Sequence, residues 1–319
     1  MVTEENLTFL VQGPIKIIDS INLTEICINS IRKHFPKSII ILSTDYGADV
    51  HKLNIDEVVF SKAKIGALIE NDINGHLMSV NYQISSTKAG LNKVKTTFTV
   101  KLRSDMVFRN SNLIKILNNR PIFRPDSQYI LTNSYVVILD WSTVNPIRFL
   151  KFPHHPSDHL YAGETSDIKA IWDVPEMPQE FMRWYEHREY PKNVRHGNNL
   201  PRYRAETWIW YNYIKNFVVN KINSSYFTSD KIVTESLNFM CANLMISSSN
   251  QVGVYENNFF NRDWKTYVKM LTYYDWILVS KKLGIGVKNI TFDFHSIKII
   301  FMRNAIVLFG LEKYIYRRK

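Results

Sequence analysis

The first 110 residues repeat one pattern: an apolar strand-like run, a polar break, then a stretch with helical spacing. "LTFLVQGPI" is apolar until Gly13-Pro14 closes it with a turn. Ser20 is placed to cap a helix in which Leu23, Cys27, Ile31 and Phe35 recur every four residues. "SIIILST" and "DEVVF" are two more strands. Leu77, Val80, Ile84, Leu91 and Val94 mark one face of a second helix, and "TTFTVKL" is a fourth strand. Strands separated by helices predict an α/β protein built on a parallel sheet. Such a sheet gathers the carboxyl ends of its strands on one edge, where ligands bind. Here those ends are Gln12 to Pro14, Ser43 to Asp45 and Arg103 to Asp105.

Beyond residue 120 the pattern loosens. "QYILTNSYVVILD" reads as one or two strands, and "KFPHHPSDHLYAGET" as a loop with three histidines and two prolines. "RAETWIWYNYIKNF" has the look of a helix, and "NFMCANLMISSSNQVGVY" of a strand. From about Asn261 the chain is helical and aromatic, without repeats or low-complexity segments.

Charge and motifs narrow the function. Lys plus Arg is 40 against 29 for Asp plus Glu, a net +11 that favours nucleic acid, an anionic membrane or phosphorylated substrates as neighbours. Two cysteines, Cys27 and Cys241, allow no disulfide framework, and none of the Cys/His spacings is that of a zinc site. "MVTEENLTFL" has acids where a signal peptide needs cations, so a cytoplasmic location is expected. GxGxxG and GxxxxGK[ST] are both missing, and there are only 11 glycines. Phosphates must then be held by cations, by a carboxylate-bound metal, or by both.

"FTVKLRSDMVF" offers such groups. Lys101, Arg103 and Asp105 alternate along the strand end and project to one side. Asp105 suits Mg²⁺ or Mn²⁺, and Arg103 suits bidentate pairing with phosphate. The plain alternative is a solvated strand end with a surface Arg–Asp pair. Asp158 and His159 are candidates for metal binding or proton transfer, or they are simply solvated loop residues. Glu206 lies near a helix start, where the dipole favours an acid anyway, and Arg204 either pairs with it or binds an anion. Tyr203, Trp208, Trp210, Tyr211 and Tyr213 form an aromatic cluster at helical spacing; core packing is the preferred reading over sugar stacking.

Taken together, "VQGPI", "ILST" followed by Asp45, "NYQISSTKAGLNKV", "KLRSDM" and "SDHLYAG" resemble the motifs of the WavE-type lipopolysaccharide-synthesis family. The match runs in order from about residue 7 to 165, with weaker support through "RAETWIW". The resemblance implies a bacterial surface-polysaccharide glycosyltransferase with a GT-A-like, Rossmann-type and mostly parallel sheet. It implies a catalytic domain over about 1–260, with a nucleotide-sugar half to about 110 and an acceptor half beyond. A helical C-terminal extension follows over 261–319. By resemblance, Gln12, Gly13, Pro14, Thr44 and Asp45 hold the nucleoside, and Arg103 and Asp105 the diphosphate. Asp105 would ligate Mn²⁺ or Mg²⁺, although Arg103 replaces the first acid of the family's DxD and leaves metal-independent transfer open. The match does not fix the catalytic base; Asp158 and Glu206 are the candidates, with Asp158 slightly preferred. Lys101, His159, Arg204 and Trp208 complete the substrate contacts. The expected partners are a nucleotide-sugar donor and a glycan or glycolipid acceptor.

Two rival readings carry less. A sugar nucleotidylyltransferase usually has a glycine-rich first loop, whereas "VQGPIKI" has one glycine. A nucleic-acid-binding protein would gather its cations in a recognised module, and here they are dispersed. No nucleic-acid partner is expected. The tail from Ser296 to Lys319 mixes apolar residues with Lys313, Arg317, Arg318 and Lys319, as an interfacial helix on an anionic membrane would. The alternative is a helix packed onto the catalytic domain.

Overall fold

Seven strands hydrogen-bonded into one sheet organise the chain. The computed structural model describes residues 1–63, 79–121, 127–148, 152–189, 201–256, 267–287 and 292–311. In chain order the first half holds β1 (Leu7–Gln12), β2 (Ile17–Ile18), β3 (Ile21–Asn22), α1 (Leu23–His34), β4 (Ile39–Asp45) and β5 (Glu57–Ser61). It continues with α2 (Val80–Leu91), β6 (Phe98–Arg103), β7 (Met106–Phe108) and α3 (Asn112–Asn118). Then come β8 (Val136–Leu139), β9 (Leu160–Glu164), α4 (Thr165–Trp172), α5 (Gln179–Met182), α6 (Ala205–Ile214) and α7 (Asp230–Asn243). The last described elements are β10 (Leu244–Ser247), α8 (Ser249–Val252), β11 (Val254–Glu256), α9 (Tyr273–Lys282) and α10 (Phe294–Leu308).

The large sheet has the order β10-β8-β9-β6-β1-β4-β5. Every pairing in it is parallel except those of β9, which runs antiparallel to β6 and β8. The expected mostly parallel α/β sheet is therefore what the chain forms. All six residues of β1 are buried, as a strand covered on both faces requires. On one face Phe9 meets Phe35 at the end of α1 and Phe108 in β7, with ring centroids 4.8 and 5.5 Å away. On the other, Leu10 lies under α2 so closely that a Cβ on Gly90 would sit 2.3 Å from Leu10 Cδ1. Glycine is what lets that helix reach the sheet.

Three expectations change. Ser20 does not cap α1: it sits at φ 66° in the turn between β2 and β3, and Asn22 accepts the Glu25 N–H instead. The segment read as a loop ends in a strand, because Leu160–Glu164 fills the gap between β6 and β8. "NFMCANLMISSSNQVGVY" is mostly not strand: α7 runs to Asn243 and only Leu244–Ser247 joins the large sheet. Tyr273 and Trp276 of α9 belong to the same core as the sheet. Leu77 lies outside the described residues.

Candidate active site

The register brings the expected strand ends together. Gln12 is paired with Ser43 on one side and Arg103 on the other. At the next residue the chain must turn. Gly13 takes φ 130°, where a side chain is strained, and its N–H donates to the Ser43 carbonyl at 3.1 Å. Ser104 stitches this turn to the end of β6: its N–H donates to the Gln12 carbonyl at 3.0 Å and its hydroxyl to the Pro14 carbonyl at 2.8 Å. Two residues on, Lys16 reaches Asp105.

Asp105 is the hub of this edge. Its side chain is 3 % exposed, whereas those of Lys16 and Arg103 are 27 % and 32 % exposed. Arg103 grips it with two nitrogens, Nε to Oδ1 at 3.2 Å and Nη2 to Oδ2 at 3.0 Å. Lys16 pairs with Oδ2. Burial alone would push the carboxyl up, but Arg103 and Lys16 outweigh it and hold the group below its ordinary value. Both oxygens are thus engaged by cations. Among the described residues no three His, Cys, Asp or Glu side chains come together as a metal set. As it stands, Asp105 does not fit the metal-ligand role expected of it.

β9 explains why Asp158 and His159 belong to the same edge. Because the strand runs backwards, the residues before it lie at the carboxyl ends of its neighbours. The Arg103 N–H donates to the His159 carbonyl at 3.1 Å, and Arg103 Nη1 lies 3.4 Å from His159 Nε2. The imidazole Nδ1 is 3.3 Å from Asp158 Oδ1 and 3.0 Å from the Ser157 hydroxyl. Burial would raise the Asp158 carboxyl, but His159, Lys101 and Arg103 hold it well below the usual range. Lys101 is fully buried, donates to the Asp158 carbonyl at 2.7 Å and lies 4.4 Å over the Trp172 ring. It supports the loop from beneath rather than meeting a ligand, which corrects its expected substrate contact.

A second group lies beside the first. His155 Nδ1 is 3.1 Å from the Ser142 carbonyl and Nε2 is 3.5 Å from Glu206 Oε2, in the first turn of α6. Nδ1 must donate to the carbonyl, so in the neutral ring Nε2 carries a lone pair toward the Glu206 carboxylate and no hydrogen bond joins the two. Burial pushes the imidazole down, with Glu206 opposing. Arg204 lies 4.6 Å over the Phe152 ring. Both Asp158 and Glu206 act electrostatically on His155 and on Tyr161.

Three other expected residues fare differently. Asp45 ends β4 half-buried, its carboxyl raised by burial. Thr44 is buried, with its hydroxyl turned inward and lacking a hydrogen-bond partner among the described residues. Trp208 is core: its indole N–H donates to the Pro175 carbonyl at 2.8 Å, and its ring packs on Phe181 and Tyr203. That is the core packing preferred for this cluster rather than the substrate contact expected of Trp208. A cavity of about 390 Å³ lies beyond the β10 edge, between α3 and α9, and none of these residues lines it. Sequence reasoning missed Lys16, Ser104 and His155; only Lys16, just past the Gly-Pro turn, left a visible signal.

With the geometry in place, the family comparison is decisive: the model described as WavE lipopolysaccharide synthesis matches residues 7–304. The chain belongs to that family. No curated protein matches it. Among solved structures, 4-diphosphocytidyl-2C-methyl-D-erythritol synthase from Anaerococcus prevotii DSM 20548 is similar, at 10% identity and TM-score 0.35. That match covers 73% of this chain and 97% of the other, and a likeness this distant carries no functional inference.

Proposed function

We propose that the protein is a nucleotide-sugar-dependent glycosyltransferase with a GT-A-like catalytic domain, acting on a lipopolysaccharide or other surface-glycan acceptor. One observation carries this reading: two partly exposed cations, Lys16 and Arg103, share a buried carboxylate at the carboxyl edge of a mostly parallel sheet. Fixed cations there suit a nucleoside diphosphate, whose charge grows as it leaves. The Gln12–Pro14 turn and Asp45 would border the nucleoside. The acceptor oxygen attacks the anomeric carbon, the carbon–oxygen bond to the diphosphate breaks, and its electron pair departs with the nucleotide. The acceptor proton then needs a base.

Of the two candidates, Glu206 now fits better. Its side chain is 20 % exposed and lies 3.5 Å from the His155 imidazole. Asp158 is buried and held as a carboxylate by His159, Lys101 and Arg103, which makes it a weak base. Asp158 then positions His159 and, through it, Arg103. With the charge of Lys16 and Arg103 in place, transfer without a divalent ion is the expected behaviour.

The test is a screen of nucleotide sugars for thermal stabilisation, followed by turnover with Mn²⁺ and with a chelator. Glu206→Gln should lose turnover at least about 100-fold while keeping donor binding, as loss of a general base does. Normal turnover in that variant, with loss in Asp158→Asn, would restore Asp158 as the base.

A further inference from the structure

α10 has two unlike faces. Inward, Ser296, Ile299, Arg303 and Ile306 are buried. Arg303 fastens this face: Nε donates to the Val268 carbonyl at 2.9 Å, Nη1 pairs with Asp275 at 2.6 Å, and Nη2 reaches the Met270 carbonyl. Asp293 caps the helix by accepting the Ser296 N–H and is itself held by the Ser248 hydroxyl at 3.0 Å. The helix is therefore packed, as one of the two expectations for this segment has it.

Its outward face is not polar, as a packed surface helix requires. Phe294, Ile297, Phe301 and Leu308 follow one another at spacings of three, four and seven, on a single stripe. Phe292 precedes the stripe and Phe309 follows it, and these six side chains are 39 to 79 % exposed. An apolar patch of this kind, concentrated in one helix, marks a binding surface. Among the described residues no helix is long and apolar enough to cross a membrane.

Charge selects the occupant. Lys298 is exposed on the same face. By sequence alone, the residues after Leu311 read "EKYIYRRK", four cations against one acid, and the whole chain carries +11. Two copies of so basic a chain would repel each other, whereas an anionic leaflet would attract it. We propose that α10 lies in the plane of an anionic bilayer, its apolar stripe immersed and its Arg303 face holding the helix to the protein. That geometry is the one an interfacial amphipathic helix adopts. The inference does not depend on the proposed reaction, since vesicle binding needs no sugar donor.

The test is sedimentation of the full chain with phosphatidylglycerol–phosphatidylcholine vesicles and with phosphatidylcholine alone, at low and high salt. Binding to the anionic vesicles, weakened by salt, is expected. Joint substitution Phe301→Asp and Leu308→Asp should lower that partition at least about tenfold, with an unchanged melting temperature because both side chains are exposed. Failure of the intact chain to bind, or equal binding by the double variant, would overturn the proposal. So would a stable dimer that the double variant dissolves, which would assign the stripe to a second copy.

Discussion

Two charged groups meet at Arg103, and they differ in what surrounds them. In the upper one, Lys16 and Arg103 flank Asp105 and keep about a quarter to a third of their side-chain surface in solvent. In the lower one, Lys101 and Asp158 are both buried, joined through a backbone carbonyl and closed over by Trp172. Residue types are nearly the same. A cation that keeps solvent access can exchange water for a phosphate oxygen; one without access can only hold the protein together. Burial, rather than charge, separates binding group from scaffold.

The strongest way to break that contrast is Asp105→Ala. Both cations lose their shared anchor yet remain hydrated, so the fold should survive with a melting temperature within a few degrees. Turnover should fall on the order of 10²–10³-fold, the usual cost of disturbing preorganised charge stabilisation. Unfolding of the variant would place Asp105 with the scaffold. Normal turnover would remove it from the site.

Lys101 tests the other side. Burial brings its ammonium down from 10.5 to about 8. Below about pH 8 the folded protein carries that buried charge at a cost. Above it the native state sheds a proton that the unfolded chain keeps until about 10.5. Lys101 should therefore add stability between these values, by up to about 3 kcal/mol at roughly 1.4 kcal/mol per unit. Buried Cys27 and Cys241, whose thiols burial pushes up from 9.0, oppose the rise alike in the protein and its Lys101 variant. Lys101→Met should lack that rise in denaturant unfolding measured from pH 7 to 9.5. Parallel curves for the two proteins would mean that Lys101 is not charged and buried in the way described. The range stops at 9.5 because buried Tyr161, whose hydroxyl is pushed up by burial, acts in the opposite direction above the ordinary tyrosine range.

Arg103 belongs to both groups, so its removal sharpens the comparison. Arg103→Ala should weaken a nucleoside diphosphate by about 10- to 100-fold, the worth of one or two charge-assisted hydrogen bonds, and the bare nucleoside hardly at all. Isothermal titration with UDP and uridine, or the matching pair for whichever base binds, measures both. Equal losses would mean that Arg103 acts through His159 and the loop rather than through phosphate.

The legible part of this arrangement is the part that backbone rules dictate. β1, β4 and β6 announce themselves by apolar runs and by the turns that end them, and parallel pairing alone puts Gln12, Ser43 and Arg103 side by side. β9 was hidden because Leu160–Glu164 contains a glycine and an acid and follows a loop rich in histidine and proline, so its period was masked. Burial was hidden too. The spacing of Lys101 and Arg103 is that of two residues on one face, and only the packing of Trp172 shows that one of them is covered. His155 could not be found from sequence, since its partners Ser142 and Glu206 are distant in the chain.

Trp208 gives the smallest effect and the cleanest discrimination between a wall of the core and a wall of the site. Its ring is 7 % exposed, it meets Phe181 and Tyr203 edge-on or tilted, and its N–H satisfies the Pro175 carbonyl. Phenylalanine keeps most of the packing and removes the hydrogen bond, leaving that carbonyl short of a partner. A cost of about 1–2 kcal/mol follows from the lost bond and the desolvated acceptor. Turnover and KM should stay within about twofold, because a ring already saturated with protein contacts has no face left for a sugar. A stacking residue would behave the other way round: stability nearly constant, acceptor affinity down by about 0.5–1.5 kcal/mol. Trp208→Phe, measured by thermal unfolding and by KM for the acceptor, separates the two, and a selective rise in KM would return Trp208 to the binding surface.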